Sequence, residues 1–477
     1  MKKWFFIFLF FVFVFFGLLT RNYRLKNLSY LEWDEGMYAQ IAKEIIKNKT
    51  LITTFNGNLW LDKPPLSHLL IAFSFLTLGE NEFNSRMVMV ILAFLAIILL
   101  YLLNKKISKK IFGKEKIFAL TLPMIILAAT PIFLDKATNL NSDLLVVISW
   151  LGYLNFFENN FARVVFLTIG VWGKSVLGFY PLLYDAFLLI SKKQKLNFFY
   201  IKWTLTAIFV SSLWYIFLFL KFGYFFIENH FLSQMFKRIY VPIELHFGGK
   251  FFYFISLWKN LGLFLILITI TYLVIAFDLF LRFKKNLKKL KFYFIYFFPL
   301  PFLGFLTLMK TKIEWYTVIF LPFLIMPITY LFYKIKSRPI YLIINFLIFS
   351  FFLSIFIKQT FLLTVPNEEK NEKVVLAKCL SLKKENKIFF LVDEQERKNR
   401  NFLEAAHYQT TSSFFYGGTP SFVYYVKKPV TFFYNPEEFK KNLNKNNTIY
   451  VINKNDKKLT NLEIKKTICQ TKNWLSF

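Results

Sequence analysis

Two adjacent carboxylates, Asp34 and Glu35, stand in the stretch LEWDEGMYAQIAKEII (31–46), just after the first long apolar run. A carboxylate at a membrane surface can take a proton from a hydroxyl group and so make its oxygen a nucleophile. Each acid also has a structural explanation. Asp34 could cap the helix that follows, and Glu35 could complement the helix dipole from the first turn. This stretch alone does not decide between the two roles.

Lysines are the second set of groups that could do chemistry. Lys63 lies in LWLDKPPLSH, Lys174 interrupts an apolar stretch between glycines, and Lys312 lies in KTKIEWY. Ammonium groups stabilise the charge that develops on a phosphate leaving group, so acids and lysines together would suit transfer from a phosphate-linked donor. For Lys63 the structural alternative is an interfacial lysine beside a helix start at Pro64–Pro65.

Two histidines raise the question of a metal ion. His230 and His246 are 16 residues apart in one loop, which is not a metal-ligand spacing. The spacing favours interfacial or hydrogen-bonding roles. A divalent cation held by His246 and Glu228, or by His230 or His246 with the two acids at 34 and 35, stays an open alternative.

Two further motifs also have structural explanations. Asp143, in NSDLL, could be first-turn charge on a helix that Asn139 or Asn141 caps. GVWGKS has two residues between its glycines, whereas a nucleotide-binding Walker loop needs four. The sequence therefore predicts no nucleotide site around Lys174.

The composition predicts a polytopic α-helical membrane protein. Of the 477 residues, 56% are hydrophobic and 65 are phenylalanine, and the mean hydropathy is +0.45. With a two-part or re-entrant segment at 163–190, we expect about eleven crossings, in a range of about 11–13. The apolar runs that approach the length of a spanning helix are 4–20, 86–103, 117–134, 140–157, 203–220, 255–280, 292–309, 314–333 and 339–357.

The placement of charge predicts the orientation. The formal net charge is 60 − 28 = +32, and basic clusters fill the short gaps at 104–116, 191–195, 281–291 and 334–338. Lysine and arginine concentrate on the cytoplasmic side of membrane proteins, which argues against a nucleic-acid partner. The amino terminus is then cytoplasmic. All the candidate reactive groups face the periplasmic or extracytoplasmic side of an inner (plasma) membrane.

Residues 1–358 are predicted to form the membrane domain, with a first external loop at 21–85. Amphipathic stretches at 36–47 and 66–78 predict helices that lie on the membrane surface. Residues 359–477 are polar and predict a small extracytoplasmic α/β domain. Its two cysteines, Cys379 and Cys469, either form one bridge or are unrelated thiols.

The predicted elements of this C-terminal domain are strands and one helix. The helix at 435–445 would begin at Asn435, with Pro436 at its first position. The strands are expected at 387–392, 422–426, 430–434 and 448–452.

The motif order resembles the polyprenyl-phosphate-sugar glycosyltransferases of the GT-C class, among them the lipid A aminoarabinose transferases and protein O-mannosyltransferases. WDEGMYAQIAKEI, KPPL and GENEF-x-x-R follow one another in family order. NSDLL, GKSVLG, ENHFLSQMFKRIY, HFGGKFFYF and KTKIEWYTVIFLPFL continue the match over the membrane region, and SFFYGGTPSFVYYVKKPV matches loosely. The sequence departs from the pattern in two places: Ser175 replaces the usual Gly, and Ile313–Glu314 replace the common Leu-Pro.

The resemblance implies a GT-C fold and a role for each matching residue. Asp34 would be the catalytic base or orient it, with Glu35 in support. The implied metal ligands, in relatives that bind a divalent ion, are His246 and Glu228, and no other cofactor is implied. The implied substrate-binding residues are Lys63, Arg86, Asp143, Lys174, Lys312 and Tyr316.

The implied activity is transfer of a sugar from a polyprenyl (undecaprenyl-type) phosphate to an extracytoplasmic acceptor. Lipid A, another envelope glycan and protein hydroxyls all stay open as acceptors. The alternative is a transporter or flippase for polyprenyl-linked lipids that uses the same lysines as a phosphate path. A non-catalytic role in envelope assembly is a third hypothesis, and it requires Asp34 and Lys63 to be dispensable.

Overall fold

The computed structural model describes residues 2–191, 198–281, 289–335, 337–365, 371–408, 417–443, 445–456 and 467–477. Most of the predicted basic runs at 191–195 and 281–291 lies outside these ranges, as do Lys336 and residues 413–416 of the loose C-terminal match. The α-helices are α1 Lys2–Arg24, α2 Asp34–Asn48, α3 Leu66–Leu78, α4 Glu82–Phe112, α5 Ile117–Ala129, α6 Pro131–Thr138, α7 Asp143–Asn155, α8 Asn160–Lys174, α9 Leu182–Ile190, α10 Phe198–Phe222, α11 Tyr224–Phe226, α12 Lys237–Tyr240, α13 Phe252–Leu261, α14 Phe264–Leu281, α15 Leu290–Phe297, α16 Pro299–Leu308, α17 Thr317–Ile325, α18 Ile328–Lys334, α19 Arg338–Thr360, α20 Glu372–Ser381, α21 Glu394–Ala405, α22 Pro420–Val426 and α23 Pro436–Lys441. The strands are β1 Thr54–Phe55, β2 Asn58–Leu59, β3 Lys387–Leu391, β4 Val430–Phe433, β5 Thr448–Asn453, β6 Cys469–Gln470 and β7 Trp474–Ser476.

The chain divides into two compact units. Unit 1 comprises Met1–Arg24, Arg86–Lys221 and Gly248–Thr364, and unit 2 comprises Leu25–Ser85, Phe222–Phe247 and Val365–Phe477. The predicted domain boundary at 358/359 lies close to the last change of unit. Unit 2 also contains the first external loop, which the sequence interpretation assigned to the membrane domain.

Within the described ranges, eight helices of unit 1 and its borders are long and apolar enough to cross a membrane. They number up to nine if α5 and α6, bent by 68°, count as one broken span. Two of the predicted membrane segments do not meet this criterion: the run at 140–157 begins with polar residues and forms only the 13-residue helix α7, and the second half of 163–190 forms only the nine-residue helix α9. The spans are Trp4–Arg24, Glu82–Phe112, Asn160–Phe179, Phe198–Phe222, Phe264–Leu281, Leu290–Leu308, Glu314–Lys334 and Pro339–Thr360.

The segment predicted to be re-entrant at 163–190 consists of two helices. Helix α8 ends at Lys174, a 3₁₀ turn covers Ser175–Phe179, and the nine-residue α9 follows. Ser175, directly after the lysine, has a positive φ of 58°, and the α-helix ends there. The predicted meeting point near Lys174 is thus confirmed.

A buried ion pair joins α8 to α9 and to the helices beside them. Arg163 donates to the Asp185 carboxylate at 3.1 Å, to the Tyr153 hydroxyl at 3.1 Å and to the Thr204 hydroxyl at 3.0 Å. Because a lone charge in apolar surroundings is costly, this pairing strongly favours one arrangement of α7, α8, α9 and α10.

Unit 2 contains a five-stranded sheet of order β4-β3-β5-β7-β6. Strand β3 is parallel to β4 and β5, and β7 is antiparallel to β5 and β6. One face packs through buried residues such as Phe389, Phe433, Phe439 and Tyr450. Helix α23 begins as predicted, with Asn435 accepting a hydrogen bond from the Glu437 N–H at 2.9 Å, but it ends at Lys441.

Three of the four predicted strands are confirmed, and the one at 422–426 is wrong. Those residues belong to the helix α22, whose seven residues are all buried. A short run that is apolar on every side carries no periodicity, so FVYYV alone could not separate a buried strand from a buried helix. Pro420 at the first helical position was the available signal.

A disulfide joins Cys379 on α20 to Cys469 on β6, across 90 residues of sequence. This settles the two alternatives for the cysteines in favour of one bridge. The cross-link ties the helix that begins the C-terminal segment to the strand near its end.

Replacing both cysteines with serine should lower the free energy of unfolding of unit 2 by about 2–5 kcal/mol, because the cross-link restrains the unfolded chain. The measurement is amide hydrogen exchange in β3, β5 and β7, with the amides of α5 in unit 1 as the internal reference. Wild-type protection in the double variant would contradict this prediction.

Candidate active site

The turn Leu31–Gly36 carries the two predicted catalytic acids, and their environments differ. Helix α2 begins at Asp34, and the residue before it, Trp33, makes no side-chain capping bond. Glu35 is buried and accepts the Leu31 N–H at 2.9 Å, which anchors the turn. The Asp34 side chain is 31% exposed. Of the two acids, Asp34 is therefore the more accessible one, and it is the first residue of α2, with Trp33 at the N-cap position.

Lys63 lies beside Asp34, as the motif resemblance implies. Its ammonium group donates to the Asp34 carboxylate at 3.2 Å and to the Tyr38 hydroxyl at 2.9 Å. Tyr38 is one helical turn after Asp34, so α2 presents both acceptors on one face. These two bonds use two of the three N–H groups of the lysine, and its third can meet a phosphate oxygen.

The protonation states of Lys63 and His68 follow from their surroundings. Burial by itself would lower the pKa of Lys63, but the Asp34 charge and the bonds to Asp34 and Tyr38 outweigh it and raise the pKa well above its usual value. Burial and the Lys63 charge lower the pKa of His68 to about 3. The imidazole is therefore neutral, and it packs edge-on against the Tyr38 ring with centroids 4.5 Å apart.

The loop Phe222–Phe247 of unit 2 supports the segment that carries Lys63. His230 lies in a π-helical segment, Ile227–Phe236, and its Nδ1–H donates to the Leu61 carbonyl at 2.7 Å. Burial lowers the pKa of His230 to about 4, so it acts as a neutral hydrogen-bond donor. This is the hydrogen-bonding role that the sequence favoured over metal ligation.

Further along this loop, Arg238 donates to the Glu244 carboxylate at 3.0 Å. Burial would raise the pKa of Glu244, but Arg238 and His246 hold it below its usual value. Burial lowers the pKa of His246, and the negative charges of Glu244 and Asp34 oppose that shift. Because those charges act on His246, the loop contributes to the electrostatics of the Asp34 cluster.

The residues do not gather into a metal site. In the ranges that the structure describes, no three His, Cys, Asp or Glu side chains are placed to hold a metal ion. His246 is half-buried, while Glu228 is exposed on the π-helical segment.

Unit 1 holds a second lysine–carboxylate cluster. The buried Asp143 forms an ion pair with Lys174, and its second oxygen lies 3.8 Å from Lys136. Each lysine also lies over an aromatic ring, Lys174 at 4.4 Å from the Tyr316 centroid and Lys136 at 4.8 Å from that of Trp315. One carboxylate and two ammonium groups leave an excess positive charge beside two aromatic rings, which suits an anionic ligand.

Glycines bring α7 and α8 close enough for this ion pair. A Cβ at Gly173 would lie 2.6 Å from the Leu145 Cβ, and one at Gly170 would overlap the Ser149 hydroxyl. Small residues at such contacts let helix backbones approach in membranes. The glycines of GVWGKS therefore serve helix packing, which is why the motif resembles a phosphate loop only superficially.

Three other residues that the sequence singled out are held by hydrogen bonds or are buried. Asn141 caps α7 by accepting the N–H groups of Asp143 and Leu144, as one of the two sequence alternatives proposed. Lys312 is buried and donates to the Leu306 and Thr307 carbonyls at 3.1 and 2.7 Å, at the end of α16. Burial lowers its pKa, with Lys310 adding to the effect. Arg86 is completely buried on α4.

Sequence reasoning missed Tyr38, Lys136 and Trp315. Tyr38 had a usable signal, since it stands four residues after Asp34 on a predicted helix. Trp315 directly precedes Tyr316 and was quoted only as part of a motif. Lys136 gave no signal, because it ended an apolar run like any interfacial lysine.

No family model matches the sequence. One uncharacterized protein of Aquifex aeolicus is 26% identical over 341 residues, which is 70% of this chain and 75% of that protein. A second from the same organism is 25% identical over 230 residues, 45% of each chain.

Solved structures match over nearly the whole chain. ArnT from Cupriavidus metallidurans bound to undecaprenyl phosphate has a TM-score of 0.69 at 11% identity, covering 98% of this chain and 97% of that one. The apo state of the same protein gives 0.66 with the same coverage. The apo oligosaccharyltransferase of Archaeoglobus fulgidus gives 0.50 at 11% identity and covers 93% and 69%. The chain therefore has the ArnT-like GT-C fold of a multi-pass membrane protein, as its motif order implied.

Proposed function

We propose that this protein is an integral membrane glycosyltransferase that moves a sugar from a polyprenyl phosphate to an extracytoplasmic acceptor. The observation that carries the proposal is the Asp34–Lys63–Tyr38 cluster, in a chain with the fold of ArnT. ArnT itself has been solved bound to undecaprenyl phosphate. The acceptor class, whether lipid A, another envelope glycan or protein hydroxyls, is left open by these observations.

In the proposed reaction the Asp34 carboxylate takes the proton of an acceptor hydroxyl. The acceptor oxygen then attacks the anomeric carbon, and the bond from that carbon to the phosphate oxygen breaks. Attack opposite the leaving group inverts the configuration at this carbon. The leaving phosphate carries away the electron pair, and the remaining N–H of Lys63 stabilises its negative charge.

Tyr38 keeps Lys63 in place during this step. Its hydroxyl accepts one lysine proton, and its ring lies 4.9 Å below the ammonium group. If a phosphate draws Lys63 partly away from Asp34, the Tyr38 contact still holds the lysine. Loss of its ion-pair partner then makes the Asp34 carboxylate a stronger base at the moment when a donor is bound.

Lys174 and Lys136 are proposed to bind an anionic part of a substrate in unit 1. Asp143 holds both ammonium groups in position and offsets part of their charge. Tyr316 and Trp315 present aromatic faces beside them, which is the kind of surface on which sugar rings and lipid chains pack. Lys312 is proposed to order the segment before α17, and Arg86 the start of α4.

The proposed location is the inner (plasma) membrane, with the active site and unit 2 on the extracytoplasmic side. The positions of the basic runs support this orientation. The Cys379–Cys469 disulfide supports it independently, because disulfides persist in oxidising compartments outside the cytoplasm.

Asp34→Asn should lower turnover by about 10²–10⁴-fold, because the amide cannot accept the acceptor proton. The assay uses purified protein in nanodiscs, a lipid-linked sugar pool extracted from bacterial membranes, and mass spectrometry of the acceptor fraction. The matched variant Glu35→Gln keeps an oxygen for the Leu31 N–H and should retain activity within a few-fold. The opposite pattern would assign the base role to Glu35.

Lys63→Met should abolish transfer while the protein stays folded, because the leaving phosphate loses its counter-charge. The same assay separates the proposal from a lipid transporter. A transporter would move the polyprenyl lipid between leaflets of a vesicle without changing the covalent attachment of the sugar. Full transfer activity in both Lys63→Met and Asp34→Asn would refute the glycosyltransferase proposal.

Lys174→Met and Lys136→Met should each weaken binding of undecaprenyl phosphate by about 10-fold or more, the effect of losing one charge-assisted hydrogen bond. Native mass spectrometry of the complex measures the affinity. Lys259→Met, which removes an exposed lysine of unit 1, is the control. Unchanged affinity in both test variants would remove unit 1 from phosphate binding.

A further inference from the structure

The turn before Asp34 has a strained backbone. Trp33 has φ 65° and ψ −110°, a conformation that bulky side chains rarely adopt. A strained residue persists only when contacts around it fix the chain on both sides. The residues on either side of Trp33 show what fixes it, and those contacts come from the C-terminal segment of unit 2.

On the side before Trp33, Glu32 completes the start of helix α22. Its carboxylate accepts the Ser421 N–H at 3.2 Å. The first amides of a helix have no acceptor within the helix, and Thr419 at the N-cap makes no side-chain capping bond. A side chain 389 residues earlier in the chain therefore provides the acceptor.

On the side after Trp33, Gly36 brings the backbones of α2 and α22 into contact. A Cβ at Gly36 would lie 2.5 Å from the Ser421 nitrogen and 2.6 Å from its Cα. Both are backbone atoms, which cannot move aside as a flexible side chain would. The φ of Gly36 is not in the left-handed region. The close approach of the two backbones is therefore what requires a glycine here.

The far end of α22 fixes the chain just before the turn. The Tyr425 hydroxyl accepts the Tyr30 N–H at 2.8 Å and donates to the Glu82 carboxylate at 2.5 Å. Helix α22 thus contacts the chain at residues 30, 32 and 36, on both sides of Asp34. Burial of all seven of its residues shows that it is an internal element of unit 2.

We propose that α22 is an intramolecular clamp and that Glu32 and Gly36 are positioning residues for Asp34. Together they hold the strained turn in the one conformation that sets the Asp34 carboxylate against Lys63. The inference rests on the proposed function in so far as Asp34 is the base. The C-terminal segment is then an integral part of the active site, although it provides no group that touches the reacting atoms.

The first test replaces Gly36 with Ala in the full-length protein. The added methyl group displaces the turn from α22, and a displacement of about 1 Å at a reacting group can lower turnover by roughly 10- to 100-fold. The affinity for undecaprenyl phosphate should stay within about threefold of wild type, because Tyr38 still holds Lys63. Gly304→Ala is the matched control, since no atom lies within 4 Å of a Cβ at that position.

A second readout does not depend on activity. Amide hydrogen exchange of residues 31–37 should quicken in Gly36→Ala, while β3 and β5 keep wild-type protection. If Gly36→Ala also unfolds the sheet, two substitutions of Glu32 test the proposal instead. Glu32→Met removes the acceptor for Ser421 and should reproduce both effects, whereas Glu32→Gln keeps an acceptor oxygen and should restore turnover and protection to near wild type.

The outcomes separate this inference from the proposed function. If the wild-type protein transfers no sugar but residues 31–37 lose protection in Glu32→Met, the clamp stands and the glycosyltransferase proposal fails. If the wild type is active, while Gly36→Ala and Glu32→Met both keep its turnover and its exchange pattern, the clamp is overturned. Equal losses in Glu32→Gln and Glu32→Met would also overturn it, because the hydrogen bond would then be irrelevant.

Discussion

The need to pair every ionised group that lies against apolar surroundings governs this structure. A charge that leaves water without a partner is costly, so acids and bases of unit 1 occur together and fix how the helices meet. The Asp143 cluster does this at one end of α7 and α8, and the Arg163–Asp185 pair does it at the other. The remaining pairs of this kind in unit 1 include Arg21–Asp135 and Lys334–Asp278.

In the proposed function, the same pairing would give the candidate sites their selectivity. Lys63 and Lys174 are each held by a carboxylate, and an incoming phosphate must compete with that carboxylate for the ammonium group. A dianionic or monoanionic phosphate with several oxygens competes well, and a neutral hydroxyl does not. Lysines that are already paired thus select an anion while staying charged and ordered without one.

Much of the architecture was predictable, because hydropathy and charge report on the membrane directly. The helices α2 and α3, the helix end at Lys174 and three strands were located from sequence. The run at 140–157 was expected to cross a membrane, but it opens with an Asn-rich turn that shortens its helix to 13 residues. The helix at 420–426 was missed for a related reason: without a polar face, its sequence carries no period.

The candidate site was predictable residue by residue, but its grouping was not. Motif order selected Asp34, Lys63, Asp143 and Lys174, and the structure brings them together in two pairs. Motif order could not identify Lys136, because the aromatic ring and carboxylate that make this lysine part of a cluster come from distant parts of the chain. Lys312 shows the converse, since a lysine in a matching motif can be occupied by the carbonyl groups of a helix end.

The contact between Glu32 and Ser421 also has a consequence for the order of events during synthesis. The two residues are 389 positions apart, so at the usual rate of translation the second emerges about 20–80 s after the first. During that interval the segment around Asp34 is already made, yet its partner helix does not exist. A nascent chain therefore carries Asp34 and Lys63 before the helix that contacts their turn exists, and this turn reaches the geometry described here only when Pro420–Val426 has been made and folded.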